Sequence, residues 1–130
     1  MDIPAKLRYT KDHEWLNIED DEATIGITDY AQGELGDIVY LDLPEVGAVI
    51  TRWKSFGTIE AVKAAADLYA PVSGEVIAVN GLLEDAPELI NKAPYEEGWI
   101  IRIKLTEPEE ADTLLTADQY RELIEQSSRS

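Results

Sequence analysis

The chain has no cysteine. That excludes structural disulfides, cysteine-ligated zinc and a cysteine nucleophile, so any redox disulfide this protein uses has to come from a group attached to it. Histidine is nearly as scarce, with His13 the only one. One imidazole builds no multi-histidine metal site. With no nucleophile motif in view, a structural hydrogen bond or a partner contact suits it better than catalysis. Bases are few, 11 Lys and Arg against 27 Asp and Glu, which leaves a formal net charge of −16. A surface that acidic repels phosphate backbones and anionic lipid, and neither nucleic acid nor a membrane surface is an expected partner. No apolar run is long enough to span a bilayer. The opening residues MDIPAKLRYT have neither the apolar core of a signal peptide nor an arginine- and serine-rich transit pattern. The expected location is the bacterial cytoplasm, or the mitochondrial matrix if a transit peptide has been removed.

Recognisable catalytic patterns are missing too. The acids show no EF-hand spacing, Gly26, Gly33 and Gly36 stand too far apart for a phosphate-cradling loop, and there is no Walker sequence. No metal site and no stand-alone catalytic site are expected, and the acidic runs read as solvated faces.

What is present is a globular composition, 45% hydrophobic and 29% charged over 130 residues, enough for one domain spanning residues 1–130. Residues 14–28 read as a hairpin turning at Glu19-Asp20-Asp21-Glu22. TDYAQGELG predicts a short helix capped by Thr28 or Asp29 and stopped by Gly36. Strands are expected at 36–43, 48–51, 54–60, 68–72, 74–80 and 98–105. In the last of these, Trp99, Ile101, Ile103 and Leu105 share one face, opposite Arg102 and Lys104. Many short strands divided by turn residues indicate an all-β sandwich or barrel. The pattern changes near the end of the chain. Thr116 and Gln119 have capping-box spacing before a Tyr120, Leu123, Ile124 stripe, with Leu114 and Leu115 in a helical turn just before and a frayed SSRS end. The β core is thus expected over about residues 8–105 and a C-terminal helical segment over about 108–126.

In AVKAAA, residues 61–66, Lys63 stands alone among Ala and Val, bracketed at a distance by Glu60 and Asp67. It is either an ordinary solubilising lysine or a handle presented to a modifying enzyme. A weak internal echo favours the handle. GDIVYLD at 36–42 aligns with GEVIAVN at 74–80, and two such β units facing each other would close a flattened barrel. Lys63 lies on the connection between the copies, where a turn would project it into solvent.

The blocks YTKDHEW (9–15), GITDYAQGELGDIVYLDLPEVG (26–47), GTIEAVKAAADLYAPVSGEV (57–76) and NKAPYEEGW (91–99), with the terminal helix, resemble in order the H proteins of the glycine cleavage system. The resemblance spans about residues 8–125. It implies a mainly β barrel–sandwich hybrid of the hammerhead, lipoyl/biotinyl-like kind, with a short internal helix and a C-terminal helix. It also implies a monomeric, non-catalytic carrier. In that family the lysine of the Glu-x-Val-Lys-Ala block carries lipoate in amide linkage, and here that lysine is Lys63. The implied partners are the glycine decarboxylase (P protein), the aminomethyltransferase (T protein), the dihydrolipoyl dehydrogenase (L protein) and a lipoyl-attaching enzyme. The carrier would take the aminomethyl group from the first to the second and be reoxidised by the third. The alternative job is that of a lipoyl donor relaying the cofactor to other lipoate-dependent complexes. Biotinyl domains typically flank their lysine with methionines, and lipoyl domains of 2-oxoacid dehydrogenases usually show Asp-Lys-Ala; Val62 and Ala64 fit neither.

Two departures stand out: Arg52-Trp53-Lys54-Ser55 replaces a Lys-Gly-Glu-Pro type of turn, and Ala66 replaces a usual Ser. The family is understood to shelter its loaded arm in a cleft. Such a cleft needs apolar walls and an acid to pair with the protonated amine, and Glu14, in the His-Glu-Trp block, is the candidate. The plain alternative for Glu14 is a solvated strand-end carboxylate.

Overall fold

The structure is a computed structural model that describes residues 2–129, with side chains up to Gln126. Among the described residues, nine strands are arranged in two sheets. One contains β1 (Arg8–Tyr9), β2 (Glu14–Glu19), β3 (Glu22–Ile27), β9 (Ile101–Leu105), β8 (Gly74–Val79) and β5 (Val49–Ile50), in that order. The other contains β4 (Ile38–Asp42), β6 (Ser55–Ala61) and β7 (Ala65–Tyr69). All pairings are antiparallel. The inner residues of both sheets meet in one cluster that includes Leu16, Ile25, Ile59, Leu68, Val76, Ile101 and Ile103. Face-to-face packing buries these apolar rows, but the two ladders do not join into the closed barrel expected from the internal echo.

The echo does survive as local geometry. Its two copies become β4 and β8, one in each sheet, and each carries a register shift at the equivalent place. The shifts fall between Ile38 and Tyr40 and between Val76 and Ala78. A bulge at that point bends each strand and sharpens its twist.

Helix α1 (Asp29–Leu35) begins at Thr28, whose hydroxyl accepts from the Ala31 N–H at 3.2 Å, and ends at Gly36 with φ 85°. Both caps follow the expected chemistry. Helix α4 (Ala117–Arg129) opens with a reciprocal box. The Thr116 N–H donates to Gln119 Oε1 at 2.9 Å, and the Gln119 N–H donates to Thr116 Oγ1 at 3.2 Å. Its buried Tyr120 and Ile124 form a second cluster with Leu7, Tyr9, Trp15 and Ala117. This helix packs on the outer face of β2 and β1 pairs along its edge, so Glu14, Trp15 and Leu16 are all buried and strand alternation disappears there.

Some sequence expectations shift. The strand expected at 68–72 begins at Ala65, because the alanines after Lys63 pair directly with β6. Strand β9 begins at Ile101, and Trp99 packs against the second cluster instead of continuing that strand's inner face. Leu114 and Leu115 lie outside the helical turn, a 3-10 helix over Pro108–Thr113; Leu115 instead bridges Tyr9, with N–H···O bonds of 2.8 and 2.9 Å. Two four-residue helices, α2 (Leu82–Asp85) and α3 (Leu89–Lys92), were not anticipated and are too short to show periodicity. Fraying of SSRS concerns residues whose side chains lie outside the described set; the helix backbone runs through Arg129. Among the described residues, no helix is long and apolar enough to cross a membrane.

Gly26 sits directly across from Trp15 in the β2–β3 ladder, and a Cβ there would lie 2.6 Å from the indole ring. The ring cannot simply move aside, because it is buried and its Nε1–H donates to the Pro94 carbonyl at 3.0 Å. Gly26→Ala is therefore expected to destabilise the fold by about 1–3 kcal/mol, read from the midpoint of a urea titration.

Candidate functional site

Lys63 occupies the tip of the β6–β7 hairpin. The ladder reaches Glu60↔Ala65, and beyond it the Ala61 N–H donates to the Ala64 carbonyl at 2.7 Å, leaving Val62 and Lys63 as the turn. The positive-φ non-glycine residues are His13, Asp20 and Trp53, so this turn needs no left-handed backbone. The tip is braced from behind. The Val62 N–H donates to the Asp37 carbonyl at 3.0 Å. On either side of Asp37, the Asn91 side chain accepts from the Ile38 N–H at 2.9 Å and donates to the Gly36 carbonyl at 2.8 Å. The end of α1, the start of β4 and the tip are thereby held together. Lys63 itself is exposed, as are Val62 and the stretch from Ala64 to Asp67. Among the described residues it makes no hydrogen bond or ion pair. Ala66, the position lacking a hydroxyl, is one of these exposed strand residues.

Glu14 lies elsewhere and is 2% exposed, so it is not a solvated strand-end acid. It closes the β1–β2 hairpin. The Thr10 N–H donates to the Glu14 carbonyl at 3.0 Å, and the His13 N–H donates to the Thr10 carbonyl at 3.1 Å. His13, with φ 71°, supplies the left-handed residue that a three-residue loop of this type requires. The Thr10 hydroxyl accepts from the Asp12 and Glu14 N–H groups, each at 3.2 Å, and donates to Glu14 Oε1 at 2.7 Å. Burial pushes the Glu14 carboxyl up to about 8; the Thr10 hydroxyl draws it down, the nearby Asp12 adds to the rise, and the Tyr69 backbone N–H draws it down. Tyr69 ends β7, the strand that begins two residues after Lys63. The fold thus connects Glu14 to the far end of the hairpin that presents Lys63.

Thr10 and Tyr69 also line an open cavity of about 670 Å³ with Tyr9, Trp53, Leu114 and Leu115, and Lys11, Asp12 and Thr113 add charged and polar groups to its wall. Glu14 is buried and is not among the residues that line it, although the Thr10 hydroxyl donates to its carboxyl. Sequence reasoning singled out Glu14 but missed Thr10 and Tyr69. Thr10 stood in the YTKDHEW block, whereas Tyr69 carried no distinguishing signal.

His13 is structural in its contacts. Its Nδ1 is 2.8 Å from the Tyr120 hydroxyl, which is 2.7 Å from Thr28 Oγ1. Burial holds the imidazole below its ordinary value and therefore neutral. A consistent order of donors has Thr28 donating to Tyr120 and Tyr120 donating to His13 Nδ1. Stacking of Tyr9 on Tyr120, with centroids 4.8 Å apart, completes this junction of loop, helix cap and α4.

The residues suit an amide-linked lipoyl group: a free primary amine on a narrow tip with small neighbours, and a cavity with an aromatic and leucine wall whose Thr10 hydrogen-bonds a buried carboxyl. The profile of the Glycine cleavage H-protein family matches residues 7–127. The chain belongs to the glycine cleavage H-protein family. It is 52% identical to the glycine cleavage system H protein of Staphylococcus carnosus, over 95% of this chain and 98% of that one. To the H protein of Alcanivorax borkumensis it is 53% identical, over 95% and 97%. The crystal structure of the H protein from Mycobacterium marinum is similar with a TM-score of 0.86 at 37% identity, covering 97% of this chain and 99% of that chain. This fold, mainly β with an internal and a C-terminal helix, is that of an H protein.

Proposed function

We propose that the chain is a lipoyl-bearing shuttle of glycine cleavage, with lipoate in amide linkage to Lys63. The observation that carries this is the unpaired lysine on a two-residue tip whose backbone is fastened on both sides. A ligase needs a flexible amine on a support that does not retreat, and amide formation removes the charge, so no counter-ion is required at the site. When attached, the dithiolane accepts the aminomethyl group left after glycine decarboxylation and delivers it for transfer to tetrahydrofolate. The chain's own residues do the rest. The hairpin presents the arm to the decarboxylase, the aminomethyltransferase and the dihydrolipoyl dehydrogenase in turn, and the absence of cysteine leaves no side-chain thiol to compete with it. On this reading the carrier performs no chemistry alone, works as a monomer in the cytoplasm, and draws the cationic end of the loaded arm toward Glu14.

The test is reconstitution. Lipoylated chain, the decarboxylase and glycine should release CO₂ with one aminomethyl group retained per carrier, and adding the aminomethyltransferase and tetrahydrofolate should discharge it as ammonia and methylenetetrahydrofolate. A carrier that is lipoylated but never loaded, and that instead passes its lipoyl group to a 2-oxoacid dehydrogenase domain, would establish the relay role in place of the shuttle.

A further inference from the structure

Trp53 combines three features seldom found together. Its backbone is left-handed, with φ 71°, where a bulky side chain is strained and glycine is at ease. Its side chain is large, apolar and 43% exposed. It also lines the cavity whose wall includes Tyr69 and Thr10, the residue that hydrogen-bonds the buried Glu14. Hydrophobic burial alone explains neither the strain nor the exposure, since a core residue would gain more from an ordinary backbone and full cover.

The surroundings hold Trp53 in this conformation. Its N–H donates to the Ala70 carbonyl at 2.7 Å, and the Ala70 N–H donates to the Lys54 carbonyl at 2.9 Å, which extends the β6–β7 ladder past Tyr69. The preceding residue is fastened as well. The Arg52 N–H donates to Ser73 Oγ at 3.0 Å, and its guanidinium is 3.6 Å from Glu110 and 5.5 Å from the Trp53 ring centroid. Glu110 in turn accepts from the Ser73 N–H at 2.6 Å. A turn held this firmly, carrying a strained and exposed indole at the wall of a cavity with both apolar and charged lining, is built to keep that ring in place.

We infer that Trp53 is a positioning residue that walls the arm cleft, packing its indole against the lipoyl chain when the loaded arm of Lys63 docks toward Glu14 and keeping water from its end. The inference rests on the shuttle reading above and adds one residue to it. An indole wall contributes contact area, and excluding water strengthens the pairing of the cationic amine with the carboxylate. Arg52 keeps its cation on Glu110, away from the docked amine.

The experiment uses full-length lipoylated carrier loaded by the decarboxylase and then separated from it. Wild type, Trp53→Gly, Trp53→Phe and Glu14→Gln are compared for release of ammonia and formaldehyde, for melting temperature, and for acrylamide quenching of tryptophan fluorescence. Trp53→Gly should accelerate release roughly three- to tenfold. Its melting temperature should stay within about 3 °C of wild type, because relief of left-handed strain offsets the lost packing. Trp53→Phe should fall between the two in release rate. Loading should also reduce quenching in wild type and not in Trp53→Phe, which isolates the indole at 53 from Trp15 and Trp99. An unchanged release rate in Trp53→Gly, or quenching in wild type that is indifferent to loading, overturns the inference. If Glu14→Gln alone accelerates release, only the role of Trp53 falls. If neither variant does, sheltering at this cleft falls with it, while lipoylation at Lys63, checked by mass in every variant, still stands.

Discussion

Changing Lys63 to arginine is expected to abolish lipoylation and, with it, every carrier reaction. The guanidinium keeps the charge and most of the length but offers no amine that a ligase can acylate at neutral pH. Exposure does not single out this residue, since Lys6, Lys11, Lys54, Lys92 and Lys104 are exposed as well. The geometry does: Lys63 sits on a two-residue hairpin tip flanked by exposed Val62 and Ala64, whereas Lys11 shares the three-residue β1–β2 loop with Asp12 and His13, and Lys104 lies within β9, its amine 3.9 Å from Asp21. Because the side chain at 63 has no partner among the described residues, the substitution should change stability by only a few tenths of a kcal/mol. Intact mass after incubation with lipoate, ATP and ligase should show one lipoyl group on wild type and none on the variant, with matching denaturation midpoints. A lipoyl group on the variant would move the site elsewhere.

Glu14→Gln should stabilise the protein in alkaline solution and leave it nearly unchanged in acid. Burial raises the Glu14 carboxyl to about 8 in the folded chain, against 4.5 as its ordinary value. The folded state therefore binds this proton more tightly than the unfolded one. Its contribution is fully present below about pH 4.5 and is lost as pH rises through about 8. At pH 5 the wild-type carboxyl is neutral in the fold, and glutamine imitates it while still accepting from the Thr10 hydroxyl. At pH 9 the wild type holds a buried anion and the variant does not. Glutamine should then be more stable by roughly 2–4 kcal/mol, at about 1.36 kcal/mol for each tenfold change in proton affinity and with allowance for water reaching the carboxylate. Comparing variant with wild type cancels the opposite effect of His13, whose depressed value costs stability as pH falls, and the general repulsion among the acids. Urea midpoints from pH 5 to pH 9 measure the difference, and a flat difference would mean that Glu14 is better solvated than its burial indicates. On the proposed shuttle reading the same burial bears on docking of the arm. A docked cationic amine would draw the carboxyl back to its ionised form, so docking below about pH 8 releases a proton and sheltering weakens with acidity.

Much of this was legible in local patterns. The Thr28 cap, the Gly36 stop, the Thr116–Gln119 box and the Ile101, Ile103, Leu105 face each depend on residues a few positions apart, and each is found. The isolated lysine was legible for the same reason, since small uncharged neighbours determine how bare a turn will be. Local pattern failed where pairing decided. Ala65 and Ala66 have little strand propensity of their own, yet they are drawn into β7 because β6 lies beside them. Leu115 leaves its expected helical turn to bond with Tyr9, more than 100 residues earlier in the chain.

The sequence by itself determined the isolation of Lys63 among small uncharged neighbours, the caps of its helices, the polarity of its surface and the absence of any cysteine thiol. These follow from residue chemistry and near-neighbour spacing. Only the tertiary structure decided that Glu14 is buried instead of solvated, that Tyr69 and Thr10 bring it to the far end of the Lys63 hairpin, and that Trp53 lines the cavity beside them. The physical reason is desolvation. Whether a carboxyl or an indole meets water depends on which distant segments pack over it, and here residues 113–115, the end of the first short strand and the Arg52–Ser55 turn converge on one cavity from three parts of the chain.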